Sequence, residues 1–146
     1  MSEAPTTEKL SRLLADTYVL YLKTHNFHWN VTGPMFTTLH TLFETEYTEL
    51  ALAVDEIAER IRALGAVAPG SFSAYSALAV VKEAEGVPKA TDMIRQLVDD
   101  QARVVAAAKE VVAVAEAAGD DATADLGIRR IQIHEKNSWM LASHLE

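Results

Sequence analysis

The stretch from His25 to Arg62 constrains this chain more than any other. Within it, His28, His40, Glu44, Asp55 and Glu59 are side chains of metal-ligand type, at successive spacings of 12, 4, 11 and 4. Read as one helix from Thr38 to Leu64, the last four project within about 100° of each other, at about 100° per residue. Each i,i+4 pair, His40/Glu44 and Asp55/Glu59, puts two donors side by side. That arrangement suits a divalent metal bound by imidazole and carboxylate.

Distance sets a condition on any such site. His40 and Asp55 are 15 residues apart, roughly 22 Å along a helix axis at about 1.5 Å per residue. One ion with ligand bonds of about 2 Å cannot reach both pairs on one helix. Either other helices of the chain complete two separate sites, or a second copy supplies the missing half. A two-fold axis crossing near Glu49 and Leu50 would lay one pair over the other in an antiparallel partner, with Thr48, Ala51 and Leu52 on the same face. An isologous contact of this kind is self-complementary by symmetry.

The plain reading of either pair taken singly is a solvated helix face, where charged residues usually sit. The apolar face, Leu39, Phe43, Tyr47, Leu50, Val54, Ile57 and Ile61, lies about 110° around from the ligand stripe. The stripe therefore sits at the flank of the helix, where a neighbour would pack.

The run HWNVTGPMFTTLHTLFETEYTELALAVDEIAER resembles the ferroxidase segment of the Dps family, the twelve-subunit mini-ferritins. The family pattern of HW, an aromatic, a second His, an acid four later and D-x-x-x-E falls on His28, Trp29, Phe36, His40, Glu44, Asp55 and Glu59. The resemblance implies a ferroxidase centre in which His28, His40 and Glu44 come from one subunit and Asp55 and Glu59 from its two-fold mate. The family's first acid is usually Asp, and Glu44 is one methylene longer. Trp29 falls on the family's aromatic neighbour of the site, although packing alone would account for it equally well. The resemblance runs weakly through the whole chain, and its specificity lies in residues 25–62.

A length of 146 residues suits one domain, 1–146, with a real core. The hydrophobic content is 49% and the mean hydropathy +0.04, with ample apolar surface for oligomer contacts. No apolar run approaches the ~18–20 residues of a membrane span, and MSEAPTTEK lacks the basic and apolar regions of a signal peptide. With no Cys there is neither a disulfide framework nor thiolate chemistry. These features fit a cytoplasmic protein. A net charge of -8 and a pI of about 5.1 repel nucleic acid on average and attract cations.

The pattern predicts an all-α chain. After a short polar lead (residues 1–6, with Pro5), helix A spans Thr7 to about Val31 and is broken by Thr32-Gly33-Pro34. Helix B spans about Thr37 to Leu64. Residues 65–90 differ in kind, with a short helical piece near Phe72–Val81 between Pro69-Gly70 and Gly86/Pro88. Helix C starts at a Thr91 cap and continues to Ala118, and helix D runs from near Asp121 to about Leu145. Two tight links around one of about 26 residues match the ferritin-like four-helix bundle, in which one long B–C crossover travels the length of the bundle. The alternative is a plain up-down-up-down bundle with a decorated loop.

Other chemistry-bearing residues fall mostly to simpler readings. His25, three residues before His28, shares its helix face; it reads as a satisfied interface histidine or as a group supporting the site from behind. His134-Glu135 opens like a zincin motif, but Ser138 stands where HExxH needs His. His144 favours the negative end of helix D. Asp120, Asp121 and Asp125 crowd the start of helix D as cap and dipole partners; the resemblance implies that they line a three-fold pore admitting Fe(II). Arg129 falls where some relatives carry another pore acid. Nucleotide-binding glycine motifs are missing, and no Glu lies three residues before a His, so the di-iron motif of large ferritins is absent.

The resemblance therefore implies an iron-oxidising, iron-storing protein: a homododecamer with di-iron sites at its two-fold contacts, using H2O2 by preference over O2, with Zn as a substitute metal. Spacing alone does not choose among Fe, Zn and Mn. Two rival functions remain open: a DNA-compacting stress protein with a secondary metal site, and a structural helical oligomer that binds Zn. Lys-rich terminal tails carry DNA binding in the family, and this chain has none. The first eight residues hold Glu3 and Glu8 but no Lys or Arg, so DNA binding is expected to be absent or weak.

Overall fold

A computed structural model describes residues 3–146; Met1 and Ser2 of the polar lead lie outside the described residues. Among the described residues there are five α-helices and no strand: α1 (Glu3–Asn30), α2 (Phe36–Ala63), α3 (Phe72–Leu78), α4 (Ala90–Ala117) and α5 (Asp121–Ala142), closed by a 3-10 turn over Ser143–Leu145. Helix α1 begins earlier than the sequence suggests. Pro5 sits in its first turn, where the missing N–H would have had no helical partner anyway. The expected Thr91 cap lies inside α4 instead, because Lys89, extended after Pro88, takes the cap position without a side-chain bond. The crossover helix stops at Leu78, and Ala79 is already extended.

Helices α1 and α2 form one antiparallel pair and α4 and α5 the other, with α1 packed on α4. Each helix contributes a stripe to one core, for example Leu10, Leu13, Leu14 and Leu20 from α1 and Leu39, Phe43, Leu50, Ile57 and Ile61 from α2. Burying one such side chain contributes about 1.5–3 kcal/mol. Gly127 lets α5 press against α4, since a Cβ there would come within 2.8 Å of Val112 Cγ2 and 3.2 Å of the Ala108 carbonyl oxygen. Gly119 takes φ +71 between α4 and α5. That left-handed conformation suits Gly. It reverses the chain into Asp120, whose carboxylate caps α5 by accepting from the Thr123 N–H at 3.0 Å.

Helices α2 and α5 meet along a polar seam. Arg60 donates to Thr123 Oγ1 at 2.8 Å and pairs with Asp120 at 3.2 Å. Arg129 reaches Glu56 at 3.1 Å, and Arg130 binds both oxygens of Glu49.

The 26 residues between α2 and α4 form the long crossover, and α3 within it rests on α1. Tyr75 of α3 stacks on Tyr18 with ring centroids 4.9 Å apart, and its hydroxyl donates to the Pro69 carbonyl at 2.7 Å. Beyond α3, two buried charged residues of α1 grip the main chain. Asp16 accepts from the Val80 and Val81 N–H groups at 2.7 and 2.9 Å. Lys23 donates to the Lys82 carbonyl at 3.0 Å and pairs with buried Asp100 at 2.8 Å. Burial pushes the Asp16 carboxyl up, against the pull of the two N–H bonds. Asp16→Ala would leave the buried Val81 N–H without an acceptor, at about 1–3 kcal/mol, and free the more exposed Val80 N–H to water. The variant is expected to lose roughly 1–3 kcal/mol in denaturant unfolding, with Asp16→Asn retaining part of it through its carbonyl oxygen.

Candidate metal centre

Histidines 28 and 40 come from neighbouring helices that meet just beyond the Val31–Met35 turn. His28 is in the last turn of α1 and His40 in the second turn of α2. Their rings stack with centroids 3.8 Å apart at 14°. Each ring is held by the other residue's backbone: His28 Nδ1 meets the His40 carbonyl at 2.7 Å, and His40 Nδ1 meets the His28 carbonyl at 2.7 Å. A carbonyl oxygen only accepts, so both Nδ1 atoms carry the proton. The two Nε2 lone pairs are left free for an ion. An imidazole whose far nitrogen is fixed by a backbone carbonyl is the usual form of a metal-ligating histidine.

Glu44, one turn after His40, joins them. Ligand atoms of His28, His40 and Glu44 all lie within 4.8 Å of one another, the only group of this kind among the described residues. His28 is buried, His40 intermediate and Glu44 exposed, so the cluster is closed at the His end and open at the carboxylate end. Two neutral imidazoles and a carboxylate suit a divalent first-row metal, and these three donors leave further positions for other ligands.

Asp55 and Glu59 do not join this group. Helix α2 runs unbroken from Phe36 to Ala63, so the rise of roughly 1.5 Å per residue keeps His40 about 22 Å from Asp55. Both acids are exposed on the flank. Between the pairs, at the edge of the same face, Leu52 is 71% exposed, a large apolar side chain without cover in the single chain. Glu49, which the sequence places near a two-fold crossing, instead turns toward α5 to meet Arg130.

Behind His28 lies an aromatic wall. His25 is sandwiched between Trp29, with centroids 3.9 Å apart, and Tyr47, at 4.0 Å. It stands 6.1 Å from the His28 ring, and Tyr47 meets His28 edge-on at 5.1 Å. Burial, with the nearby His28, lowers the His25 pKa below its ordinary value. Trp29 is 58% exposed and Phe36, stacked on His40 at 5.1 Å, is 41% exposed. Sequence spacing anticipated His25 and Trp29; the part of Tyr47 appears only once α2 is laid against α1.

The three aspartates at the start of α5 divide. Burial works against ionisation of Asp120, but bonds from Thr123 and the charge of Arg60 outweigh it and hold its carboxyl below the usual range. Asp125 is paired with Arg129 at 3.1 Å, and Arg129 also holds Glu56. Asp121 is exposed in the first turn of α5. Two of the three are thus bound to cations of their own chain.

Sequence reasoning did not find the buried polar residues of the bundle. Gln101, Arg130 and His134 are at most 2% exposed, and Glu46 is 3% exposed. The i,i+4 spacing of Arg130 and His134 was the available signal. It is too common on solvated helices to be read without knowing which way α5 faces.

Comparison with known proteins gives a consistent result. Residues 7–146 match the family model described as a ferritin-like domain. The chain is 42% identical over 138 residues to a DNA protection during starvation protein of Brevibacillus brevis, covering 94% of this chain and 92% of that protein. A crystal structure of a Dps protein from Bacillus brevis superposes with a TM-score of 0.96 at 39% identity, covering 99% of this chain and 97% of the other. The Dps protein of Vibrio cholerae, described as a member of a broad superfamily of ferritin-like diiron-carboxylate proteins, gives 0.95 at 34% identity, covering 99% and 91%.

Proposed function

Because the chain belongs to the Dps family of ferritin-like proteins, we propose that it is a ferroxidase that oxidises and stores iron. Each site joins His28, His40 and Glu44 of one subunit to Asp55 and Glu59 of the partner subunit. The observation that carries this reading is the half-built centre where α1 meets an unbroken α2: three convergent donors, open on their carboxylate side. A second copy crossing near exposed Leu52 would bring the missing carboxylates and cover that leucine together. Twelve copies arranged with such two-fold contacts would enclose a storage cavity, with Asp121 and its neighbours as candidate pore residues. Each 1–146 chain then acts as one domain.

Fe(II) is the substrate. Peroxide takes one electron from each of two Fe(II): 2 Fe(II) + H2O2 + 2 H+ gives 2 Fe(III) + 2 H2O, so both reagents of hydroxyl-radical chemistry are consumed together. The two imidazoles hold Fe(II), and the carboxylates of Glu44, Asp55 and Glu59 favour the harder, more charged Fe(III). His28 and His40 are pre-set for this because backbone carbonyls already hold their Nδ1 atoms, which leaves Nε2 of each ring for the metal. Zinc fits the same donors and would compete without redox turnover. Among the described residues no helix is long and apolar enough to cross a membrane, and we place the protein in the cytoplasm.

Mixing two inactive chains tests the shared site. One chain carries His28→Ala/His40→Ala and the other Asp55→Ala/Glu59→Ala. Every mixed two-fold contact then contains one intact and one doubly broken site, so random co-assembly should restore about one quarter of wild-type activity. Co-assembly shown by native mass spectrometry with no activity would exclude the shared arrangement.

Protection of DNA is expected to be chemical, without contact. Of the 13 Lys and Arg, Lys9, Lys23, Arg60, Arg95, Arg103, Arg129 and Arg130 are already in ion pairs with acids of the same chain. Duplex affinity comes mainly from free cations that displace counterions from phosphate. In a gel-shift titration of metal-free protein at about 150 mM salt, no retained complex is expected at low-micromolar protein, where the tighter of the ~10⁻⁴–10⁻⁶ M non-specific binders would already be retained. A discrete complex would favour DNA compaction instead.

A further inference from the structure

A chain of buried hydrogen bonds crosses the bundle away from the metal centre. Arg130 binds both oxygens of Glu49 and also reaches His134 Nε2 at 2.9 Å. A guanidinium only donates, so Nε2 of His134 is the acceptor and the proton of the neutral ring sits on Nδ1. That Nδ1–H meets Gln101 Oε1 at 2.7 Å. The orientation of the Gln101 amide follows: its oxygen faces His134, and its Nε2 faces away. That Nε2 is buried and has no partner.

Further unpartnered groups, two acceptors and a donor, lie at the same level. Both carboxyl oxygens of Glu46 are buried without a donor, and Nδ2 of Asn137 is buried without an acceptor. Helices α2 and α5 are antiparallel, with Arg60 against Thr123, Glu56 against Arg129 and Glu49 against Arg130. Continuing that register by one turn of α2 brings Glu46 to the level of His134 and Asn137. Donors from α4 and α5 and acceptors from α2 therefore share one layer, yet none is within hydrogen-bonding reach of another.

Leaving each such group bare would cost about 1–3 kcal/mol, and native interiors rarely tolerate several together. One water molecule both donates and accepts, and buried waters typically make about three hydrogen bonds to groups of this kind. A groove between α4 and α5, about 350 Å³ and lined by Gln101, His134, Ser138 and Lys109 among others, gives solvent a route to this layer. We propose that the bundle interior holds a fixed water site that accepts hydrogen bonds from Gln101 Nε2 and Asn137 Nδ2 and donates to the Glu46 carboxyl. The polar thread then runs without a gap from Glu49 through Arg130, His134, Gln101 and water to Glu46. It joins α2, the helix that carries the ligand stripe, to α4 and α5 through its core side. The site stands independently of the ferroxidase reading.

A high-resolution crystal structure of the assembled protein tests this. The expected result is a water peak about 2.6–3.2 Å from a Glu46 oxygen and from Gln101 Nε2 or Asn137 Nδ2 in every subunit. Glu46→Gln should retain the peak, and Glu46→Leu should lose it as the leucine fills the space. A direct Glu46–Gln101 or Glu46–Asn137 bond with nothing between them would overturn the proposal. So would a peak with the ~2.0–2.6 Å bonds of a metal ion, or a water unmoved in Glu46→Leu. If the leucine variant does not fold, the wild-type and glutamine structures decide alone.

Discussion

Asp55→Ala/Glu59→Ala protein is expected to lose rapid Fe(II) oxidation while still folding and assembling. Both acids are exposed on the flank of α2, so their truncation leaves no cavity and removes no core contact. Even the hydrogen-bonding partners of metal ligands are worth about 10–100-fold in metal affinity or activity. Removing both proposed ligands should therefore lower the initial rate by at least about 100-fold, toward that of Fe(II) in buffer. Stopped-flow absorbance after anaerobic loading and separate addition of H2O2 and O2 measures this rate. Size-exclusion chromatography of the same sample checks assembly. An unchanged rate in intact assemblies would remove Asp55 and Glu59 from the site. Loss of assembly together with activity would show instead that the two acids build the contact itself. Faster turnover with O2 than with H2O2 would reverse the oxidant preference while leaving the site in place.

The second large effect is on stability against pH, and it comes from the buried layer. Burial pushes the Glu46 carboxyl up to about 8 from an ordinary 4.5. Between those values the folded chain holds more protons than the unfolded one, so stability falls as pH rises through that window. His134 behaves in the opposite sense. Burial, helped by the Arg130 charge, lowers it from 6.5 to about 3, so the folded chain holds fewer protons and stability falls as pH drops from 6.5 toward 3. The two slopes cancel where the windows overlap, between 4.5 and 6.5. The expected profile is a plateau across that range with a decline on either side.

One proton of difference is about 1.4 kcal/mol per pH unit, so about 2 kcal/mol per chain should be lost between about pH 6.5 and 8. Urea unfolding at fixed protein concentration reads this directly. Glu46→Gln should flatten the alkaline side and, with nothing left to cancel the His134 slope, start the acid-side decline at about pH 6.5 in place of the plateau. An alkaline decline that persists in the glutamine variant would assign it to another group.

Most of the proposed ligand stripe could be drawn before any fold was known, because a helix converts spacing into direction. Residues 40, 44, 55 and 59 must share a flank wherever α2 packs. The fixed rise likewise separated the two pairs, so that any site using both needs a second source of ligands. The long middle link, bracketed by Pro69, Gly70, Gly86 and Pro88, marked the crossover for a similarly local reason: those residues end helices through their own backbone limits. What spacing could not convey was the partner of each side chain. The reciprocal clasp of His28 and His40 depends on two carbonyls twelve residues apart in sequence. The His25–Tyr47 stack and the grip of Asp16 on Val80 and Val81 depend on how α1 lies against α2 and the crossover.

Glu46 illustrates the division most sharply. From sequence it is one more acid on a helix rich in acids; in the bundle it stands in the core stripe between Phe43 and Leu50 and is 3% exposed. Helical periodicity alone determined which residues could face together and how far apart the two halves of the ligand stripe must lie. Tertiary packing decided which of those residues are buried, which tautomer each histidine holds and which aspartates meet arginines. Those properties depend on distances between chain segments remote in sequence, and no local rule about dihedrals or spacing contains such distances.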